Sequence, residues 1–472
     1  MSESEKKKKR FSMPHAYVIM LIIIALSMAL TWILPAGNFE FEYNEELGRN
    51  LVVPGSFQLA DEQSPVGPWG MIMSLFDGVV EAGDIIFFIL FAAAYVYVLS
   101  ETGALNALTG AMLRKLGEKD HLIIPFFMIL FAIGGTTIGM FEETYGLIPA
   151  FMIIAVTLGY DRIVGGAIVF VGVATGFAAA ILNPFTIGVA SSVAEIPLIQ
   201  PKLTAMRIIT FVLFLGLSMA YTMHYAKKIR KDPTKSILYG DPNALAGLEN
   251  VKSRDEVISM PFTREQRLSL AGFVLLIVAL AYGIVVLGWY LTELASLFFV
   301  FMVVTMFINK LTLTEMGDMF VAGCKSAMFG AMLVGFARAI SVVMDQGQVI
   351  DTAVNYLANV VGTLPTSISG VGMLAVQNIV NFFIPSGSGQ AVVMMPIMAP
   401  LSDLVGLSRE VAVMAYQFGD GFSNMFWPTA VATECGIMGI GMDKWYKFIT
   451  PLFGMMFLLQ AVLIVVAVAW GV

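Results

Sequence analysis

Residues Tyr17 to Leu34 form an uncharged apolar run that ends in Trp32-Ile33-Leu34-Pro35. A spanning helix needs about 20 such residues, and in lipid only helices and closed barrels satisfy their own backbone groups. A cleaved signal peptide would have a shorter apolar core and a small-residue cleavage site, so this run reads as a retained first helix. The rest of the chain keeps the same character: 58% of its 472 residues are hydrophobic and 13% charged, with mean hydropathy +0.82. Soluble domains carry about 25% charged residues. The expected fold is therefore an all-α polytopic membrane protein, with the lipid bilayer as its surroundings.

Two stretches interrupt this apolar background with glycines, hydroxyls and acids. The first is Gly134-Gly135-Thr136-Thr137-Ile138-Gly139-Met140-Phe141-Glu142-Glu143-Thr144, the second Phe383-Ile384-Pro385-Ser386-Gly387-Ser388-Gly389-Gln390-Ala391. Each leads to a proline, Pro149 or Pro396, and then to a Gly-x-x-Arg, Gly159 to Arg162 or Gly406 to Arg409. The differences 396−149, 406−159 and 409−162 all equal 247, and on that offset Glu143 faces Gln390. Polar breaks at membrane depth persist only where protein buries them or they line an aqueous cavity. A duplicated pair points to a transporter's substrate site.

Charge bias gives the organisation. Lys6 to Lys9 and Arg10 put the tail 1–14 in the cytoplasm. Residues 15–69 supply the first helix and an acidic outer loop with Glu40, Glu42, Glu45, Glu46, Asp61 and Glu62. Repeat 1 spans 70–226, with a re-entrant hairpin at about 121–158 flanked by Lys119 and Arg162 and opening to the cytoplasm. Its first apolar piece, about 121–133, is short for a full span. Residues 227–266 form a charged cytoplasmic loop, the only long soluble linker. Linking helices occupy 267–310. Repeat 2 spans 311–472, with a hairpin at about 366–404 that opens outward, and its last helix ends outside. Hairpins entering from opposite faces define an inverted-topology repeat.

Within the breaks, glycine allows tight turns and close ligand approach. Ser386, Gly387, Ser388 and Gly389 offer small donors at a helix start, which favours a carboxylate; a small-residue packing motif is the alternative. Asn183-Pro184 and Asn424 to Pro428 interrupt two further helices, and the carbonyls freed there can hold a cation or substrate polar groups. Asp420, within Gln417 to Asn424, is the leading candidate for coupling a cation or proton or for holding a substrate amine. Glu142 and Glu143 come next, with a structural ion pair to Arg338 as the alternative. Glu434 reads as an acid reaching the cytoplasmic interface, and Arg162 and Arg409 as caps of helix starts near the surface. The candidate substrate set is Thr136, Thr137, Glu142, Glu143, Asn183, Ser386, Gly387, Ser388, Gly389, Gln390, Asp420, Asn424 and Arg338. The candidate coupling-ion set is Asn183, Pro184, Asp420, Ser423 and Asn424. Four acids against one arginine favour a cationic or zwitterionic substrate, or a co-transported cation.

No cofactor is expected beyond a coupling Na+ or H+. Cys324 and Cys435 sit in apolar segments, and His15, His121 and His224 at helix ends, without metal-ligand spacing. His-Glu-x-x-His is absent. Gly419-Asp420 has Gln417 where an intramembrane aspartyl protease would carry glycine, and Ser386 and Ser388 have no histidine in reach. An enzyme is thus the weaker reading, a channel another, and nucleic acid is no expected partner.

The chain resembles the YfcC-like branch of the four-carbon dicarboxylate anaerobic carrier family, within the ion-transporter superfamily. The resemblance rests on Asn381 to Ala391, Met395-Pro396, Leu401 to Val405, Gln417 to Ser423, Asn183-Pro184-Phe185, Gly335 to Arg338 and, at the start, Phe11-Ser12-Met13-Pro14. It implies an elevator-type carrier in a prokaryotic inner membrane, often a homodimer. Some relatives look like arginine–ornithine antiporters, others like dicarboxylate carriers. Sodium-coupled cousins carry Ser-Asn-Thr at both cation sites, where this chain has Leu182-Asn183-Pro184 and Ser423-Asn424-Met425. The expected function is secondary transport of a small amino acid, possibly basic, by cation coupling or exchange. Four-carbon dicarboxylates or other small carboxylates are the alternative cargo.

Overall fold

The computed structural model describes residues 15–45, 49–242, 244, 245, 248, 252 and 254–472. The basic tail 1–14 and Glu46 lie outside the described residues. The helices in chain order are α1 (Ala16–Ile33), α2 (Pro68–Glu81), α3 (Gly83–Glu101), α4 (Ala104–Leu116), α5 (Ile123–Ile138), α6 (Ile148–Thr157), α7 (Arg162–Ala178), α8 (Val189–Val193), α9 (Pro201–Lys231) and α10 (Arg254–Ser259). They continue with α11 (Arg264–Leu287), α12 (Leu291–Ile308), α13 (Leu313–Gln346), α14 (Ile350–Gly362), α15 (Thr366–Phe383), α16 (Gly387–Leu404), α17 (Arg409–Ser423), α18 (Pro428–Met438) and α19 (Met442–Trp470). Among the described residues, eight helices are long and apolar enough to cross a membrane.

The loop after α1 departs from an all-α fold. It holds two short antiparallel ladders, β1 (Gly37–Asn38) with β4 (Gln58–Leu59) and β2 (Phe41–Asn44) with β3 (Arg49–Val52). Phe41 and Tyr43 alternate with polar residues, which suits a strand. Its start is tied to the α13–α14 region: the Gly37 N–H donates to the Gln348 carbonyl at 2.9 Å, the Phe39 N–H to Asp351 at 3.0 Å, and the Thr352 hydroxyl to the Pro35 carbonyl at 2.8 Å.

The first hairpin also differs in detail. α5 runs straight through Gly134 to Thr137, and with the preceding turn Lys119–Ile138 reaches span length. The reason is packing. A Cβ on Gly135 would lie 2.7 Å from the Phe177 backbone nitrogen, and Gly176 closes on the Ala132 backbone from the other side. These glycines bring α5 and α7 into backbone contact, and the chain turns only at Gly139, where φ is +71°. A 3₁₀ turn, Glu142–Leu147, then leads into α6.

The loop 227–266 is docked where it is described. α9 extends to Lys231, and α10 lies on α4, with Arg114 donating to the Ile258 carbonyl at 2.8 Å. Arg230 grips the wholly buried Asp120 through two bonds of 2.6 and 2.8 Å, and Arg254 pairs with the same carboxylate.

One arrangement occurs twice. α5 and α6 pack on α7, as α15 and α16 pack on α17, and α7 packs on α17 through the Gly421–Ala178 contact. Gly159 and Gly406 share a left-handed backbone, at φ +84° and +76°. The Gly-x-x-Arg arginines do not cap their own helix starts; Asp161 and Ser408 do that, accepting from Val164 N–H at 3.1 Å and Val411 N–H at 3.2 Å. Arg162 is buried and donates to the Met438 carbonyl at 3.0 Å, at the end of α18, while Arg409 donates to the Ala194 carbonyl at 3.1 Å, at the end of α8. Each arginine thus satisfies carbonyls that a helix end leaves open, on the short helix of the other half.

Candidate functional site

The second hairpin turns at Ile384 to Ser386, and the Ser386 hydroxyl caps α16 by accepting from the Gly389 N–H at 3.3 Å. Ser386 is exposed, while Gly387, Ser388 and Gly389 are half-buried. A Cβ on Gly387 would sit 2.7 Å from Thr186 Cγ2 and 3.2 Å from Asp420 Oδ2. The tip therefore rests between the first break and the last turn of α17, and a side chain there would press on Thr186.

Behind the tip lies a chain of amides. Asn381 donates to Asp420 Oδ1 at 2.9 Å and to Gln390 Oε1 at 3.3 Å, and accepts from the Ser423 hydroxyl at 2.8 Å. Gln390 donates to both oxygens offered by Gln377, at 3.0 and 2.7 Å. The Tyr416 hydroxyl donates to the Gly387 carbonyl at 2.6 Å. Asp420 is fully buried, and its Oδ2 has no hydrogen-bond partner among the described residues. The donor set around it is neutral, so a carboxylate here has no cation of its own.

The first break closes on itself. Asn183 Oδ1 accepts from the Phe185 and Thr186 N–H groups at 2.9 and 3.2 Å, while its Nδ2 is buried without a hydrogen-bond partner among the described residues. Pro184 opens the π turn that follows. The Thr136 hydroxyl donates to the Ala179 carbonyl at 2.7 Å and accepts from the Ile181 N–H at 3.1 Å, pinning α5 to the break. Thr137 bonds its own helix, at Ile133. At the second break Asn424 donates to the Asp420 carbonyl at 3.0 Å and ends α17.

The acids therefore fall into two places. Asp420 belongs to the second tip. Glu143 accepts from the Phe141 N–H at 2.9 Å and shapes the first tip, with Glu142 half-buried beside it. Glu434 does not reach an interface: it is wholly buried, with the Tyr145 phenol beside it. Arg338 does not join the site as a buried cation. Its guanidinium is half-exposed and bonds Glu81 at 2.8 Å, because Gly78 and Gly335 bring α2 and α13 close enough for that pair. Among the described residues, the buried arginines are Arg162 and Arg207.

Gln377, Asn381, Gln417 and Thr186 complete the constellation and are absent from the sequence-derived set. Gln417 donates to the Phe177 carbonyl at 2.5 Å, joining α17 to α7. The available signal was spacing: Gln377 and Asn381 lie one turn apart in α15, an i, i+4 pair on one face.

Among the described residues, no group of three or more His, Cys, Asp and Glu could hold a metal ion. The family model for the C4-dicarboxylate anaerobic carrier, DcuC, matches residues 13–469. The chain belongs to the DcuC family. It is a multi-pass membrane transporter of that family and not an enzyme. An uncharacterized protein of Haemophilus influenzae is 29% identical, with 99% of both chains covered. A protein of Escherichia coli named "Putative basic amino acid antiporter YfcC" is also 29% identical, over 99% of this chain and 98% of its own. Among solved structures, the Alcanivorax borkumensis YdaH transporter matches at TM-score 0.42 and 17% identity, covering 97% of this chain and 99% of that one. Neisseria gonorrhoeae MtrF matches at TM-score 0.41 and 16% identity, covering 97% and 95%.

Proposed function

We propose that this DcuC-family transporter moves a small amino acid, basic ones included, across the cytoplasmic membrane of a prokaryote, as a cation-coupled carrier or an exchanger. The observation that carries this reading is the Asp420 carboxyl. One oxygen is held by Asn381, and the other faces Gly387 with no hydrogen-bond partner among the described residues. A charge at the bilayer centre costs about 2.5–3.5 kcal/mol on insertion scales, and a substrate ammonium would offset it. The first turn of α16 lies alongside, and helix N-terminal N–H groups favour a carboxylate. One ligand carrying both groups meets both features. The name of the E. coli relative agrees with a basic amino acid.

The duplicated packing and the exchanged arginine caps support two repeats of inverted topology. The Lys227, Lys228, Arg230 and Lys231 cluster, against the acids of the loop after α1, supports an inside N-terminus and an outside C-terminus. An elevator stroke and a homodimer complete the proposal.

A second reading, transport of four-carbon dicarboxylates, is favoured by the family description and by the donors of the Ser386 to Gly389 turn. Counterflow into proteoliposomes separates the two. Liposomes loaded with arginine, a neutral amino acid or a four-carbon dicarboxylate are offered the labelled compound outside. Accumulation of an amino acid, lost in Asp420→Asn, is expected. Accumulation of the dicarboxylate alone, or undiminished transport by Asp420→Asn, would overturn the assignment. Absence of trans-acceleration would indicate a pore.

A further inference from the structure

The first hairpin joins α4 through a bent joint. α4 ends at Leu116, and Gly117 follows at φ 57° and ψ −121°. Only glycine takes that conformation without strain. A Cβ there would meet nothing within 4 Å, so the backbone angle alone calls for glycine. Lys119 leaves the helical path a second time, at φ −89° and ψ 17°. α5 then begins at Ile123. Short runs at the ends of elements are where hinges absorb a change of backbone angle.

The two sides of the joint are built differently. Beyond it, α5 and α6 pack on α7, and α9 packs on both α5 and α7. The far end of the hairpin is fixed to that same layer. Asp161, before α7, accepts from the Tyr225 hydroxyl of α9 and from the Ser236 hydroxyl in the loop that follows, each at 2.6 Å. Ahead of the joint, α4 carries α10. Arg114 donates to the Ile258 and Met260 carbonyls at 2.8 and 3.4 Å, and Gly110 lets the Val257 carbonyl come against α4.

Asp120 sits in the joint, wholly buried, and takes an arginine from each side. Arg230 of α9 comes from the hairpin layer with two bonds of 2.6 and 2.8 Å, and its Nη1 also donates to the Tyr160 hydroxyl at 2.9 Å. Such a fork matches one carboxylate in charge and geometry. Arg254 of α10 comes from the α4 side. Its Nη1 donates to Asp120 Oδ2 and its Nη2 to the Gly117 carbonyl at 3.3 Å. One guanidinium therefore grips both the glycine and the acid of the joint. Arg230 already meets the Asp120 charge, so what Arg254 adds is a bond across the joint.

We propose that Gly117 to Asp120 is the hinge on which the first hairpin and its layer turn, and that Arg254 is the latch of that hinge. With the latch made, Gly117 is kept at its glycine-only angle and the hairpin is fixed to α4 and α10. With it broken, Arg230 keeps Asp120 paired and carries it along with the layer. Control of the hairpin thus lies in the loop between the two halves. The inference rests on movement of the hairpin, as in the proposed elevator stroke, and not on which substrate is carried.

Hydrogen–deuterium exchange of the purified full-length protein tests it, because exchange of protected amides follows the local opening equilibrium. Arg254→Gln should speed exchange over Gly117 to Met128 by about three- to tenfold, the effect of losing one partly exposed charge-assisted pair, and leave α13 as in the wild type. Gly117→Ala should speed the same segment, because alanine disfavours the latched angle. Unchanged exchange in Arg254→Gln would overturn the proposal. So would a rise of the same size in α13, which would mean general loosening. If Arg254→Gln does not fold, Gly117→Ala carries the test, and an unmoved segment in that variant refutes the hinge. A second readout uses proteoliposomes. Arg254→Gln should run counterflow faster than the wild type, and Arg254→Lys, which keeps the charge without the fork, should fall between them. A rate at or below that of the wild type refutes the latch as a control on transport. Failure of the amino-acid reading would silence counterflow in the wild type as well but leave the exchange result intact.

Discussion

Asn381→Ala probes the amide chain behind the second tip. The substitution removes the donor to Asp420 Oδ1 at 2.9 Å and the donor to Gln390 Oε1 at 3.3 Å, both at fully buried groups. A bond to a charged acceptor contributes about 1.5–3 kcal/mol and a neutral one about 0.5–1.5 kcal/mol. The expected loss is therefore about 2–4.5 kcal/mol. The Ser423 hydroxyl keeps its bond to the Asp420 carbonyl at 3.2 Å, so that side adds little. Detergent-driven unfolding in mixed micelles measures the loss. A cycle with Asp420→Ala isolates the pair, with a coupling of about 1–3 kcal/mol expected for directly bonded residues. Asn381→Asp should be worse than Asn381→Ala, because it sets a second carboxylate against the first. A loss under about 0.5 kcal/mol, or additivity in the cycle, would refute the reasoning.

Gly387→Ala should stall transport with the fold retained, since the new methyl meets Thr186 Cγ2 at 2.7 Å; adding Thr186→Ser removes that methyl and should restore counterflow in part. Gly176→Val should destabilise by about 1–3 kcal/mol or more through overpacking against α5, seen as a lower unfolding midpoint, whereas Gly216→Ala, in open space, should not. Burial raises the Asp161 carboxyl above its ordinary value, against hydrogen bonds from Ser236, Tyr225 and the Val164 N–H. A raised folded value means this group's contribution is full below the unfolded value of about 4 and is lost as pH climbs through the folded one. The thermal midpoint of wild type relative to Asp161→Asn should therefore fall as pH rises above about 4; a flat difference would contradict it.

Much of this was legible because lipid is a demanding solvent. Apolar length and proline or glycine position locate α15, α16 and both breaks within a few residues, since an unsatisfied backbone cannot persist elsewhere. Asp420 was legible as a charge with nothing apolar to do. The glycines of α5 were ambiguous for a physical reason: the same residue permits a turn or a backbone contact, and only the α7 groove decides. Arg338 misled because a cation in an apolar run carries no mark of which face it takes. Arg162 and Arg409 misled because their acceptors lie in the other half, and no local pattern reports a partner 276 or 215 residues away.

That separation has a consequence for biogenesis. At synthesis rates of roughly 5–20 residues per second, Arg162 waits about 10–60 s before the carbonyls of α18 exist. The carbonyl end of α8 waits likewise for Arg409. Through this interval the first half stands in the membrane without the Arg162–Met438 and Arg409–Ala194 contacts of the folded protein. Neither half is then a finished folding unit. A chain cut in the α9–α10 loop should be cleared by proteolysis when either piece is made alone, and rescued when both are made together.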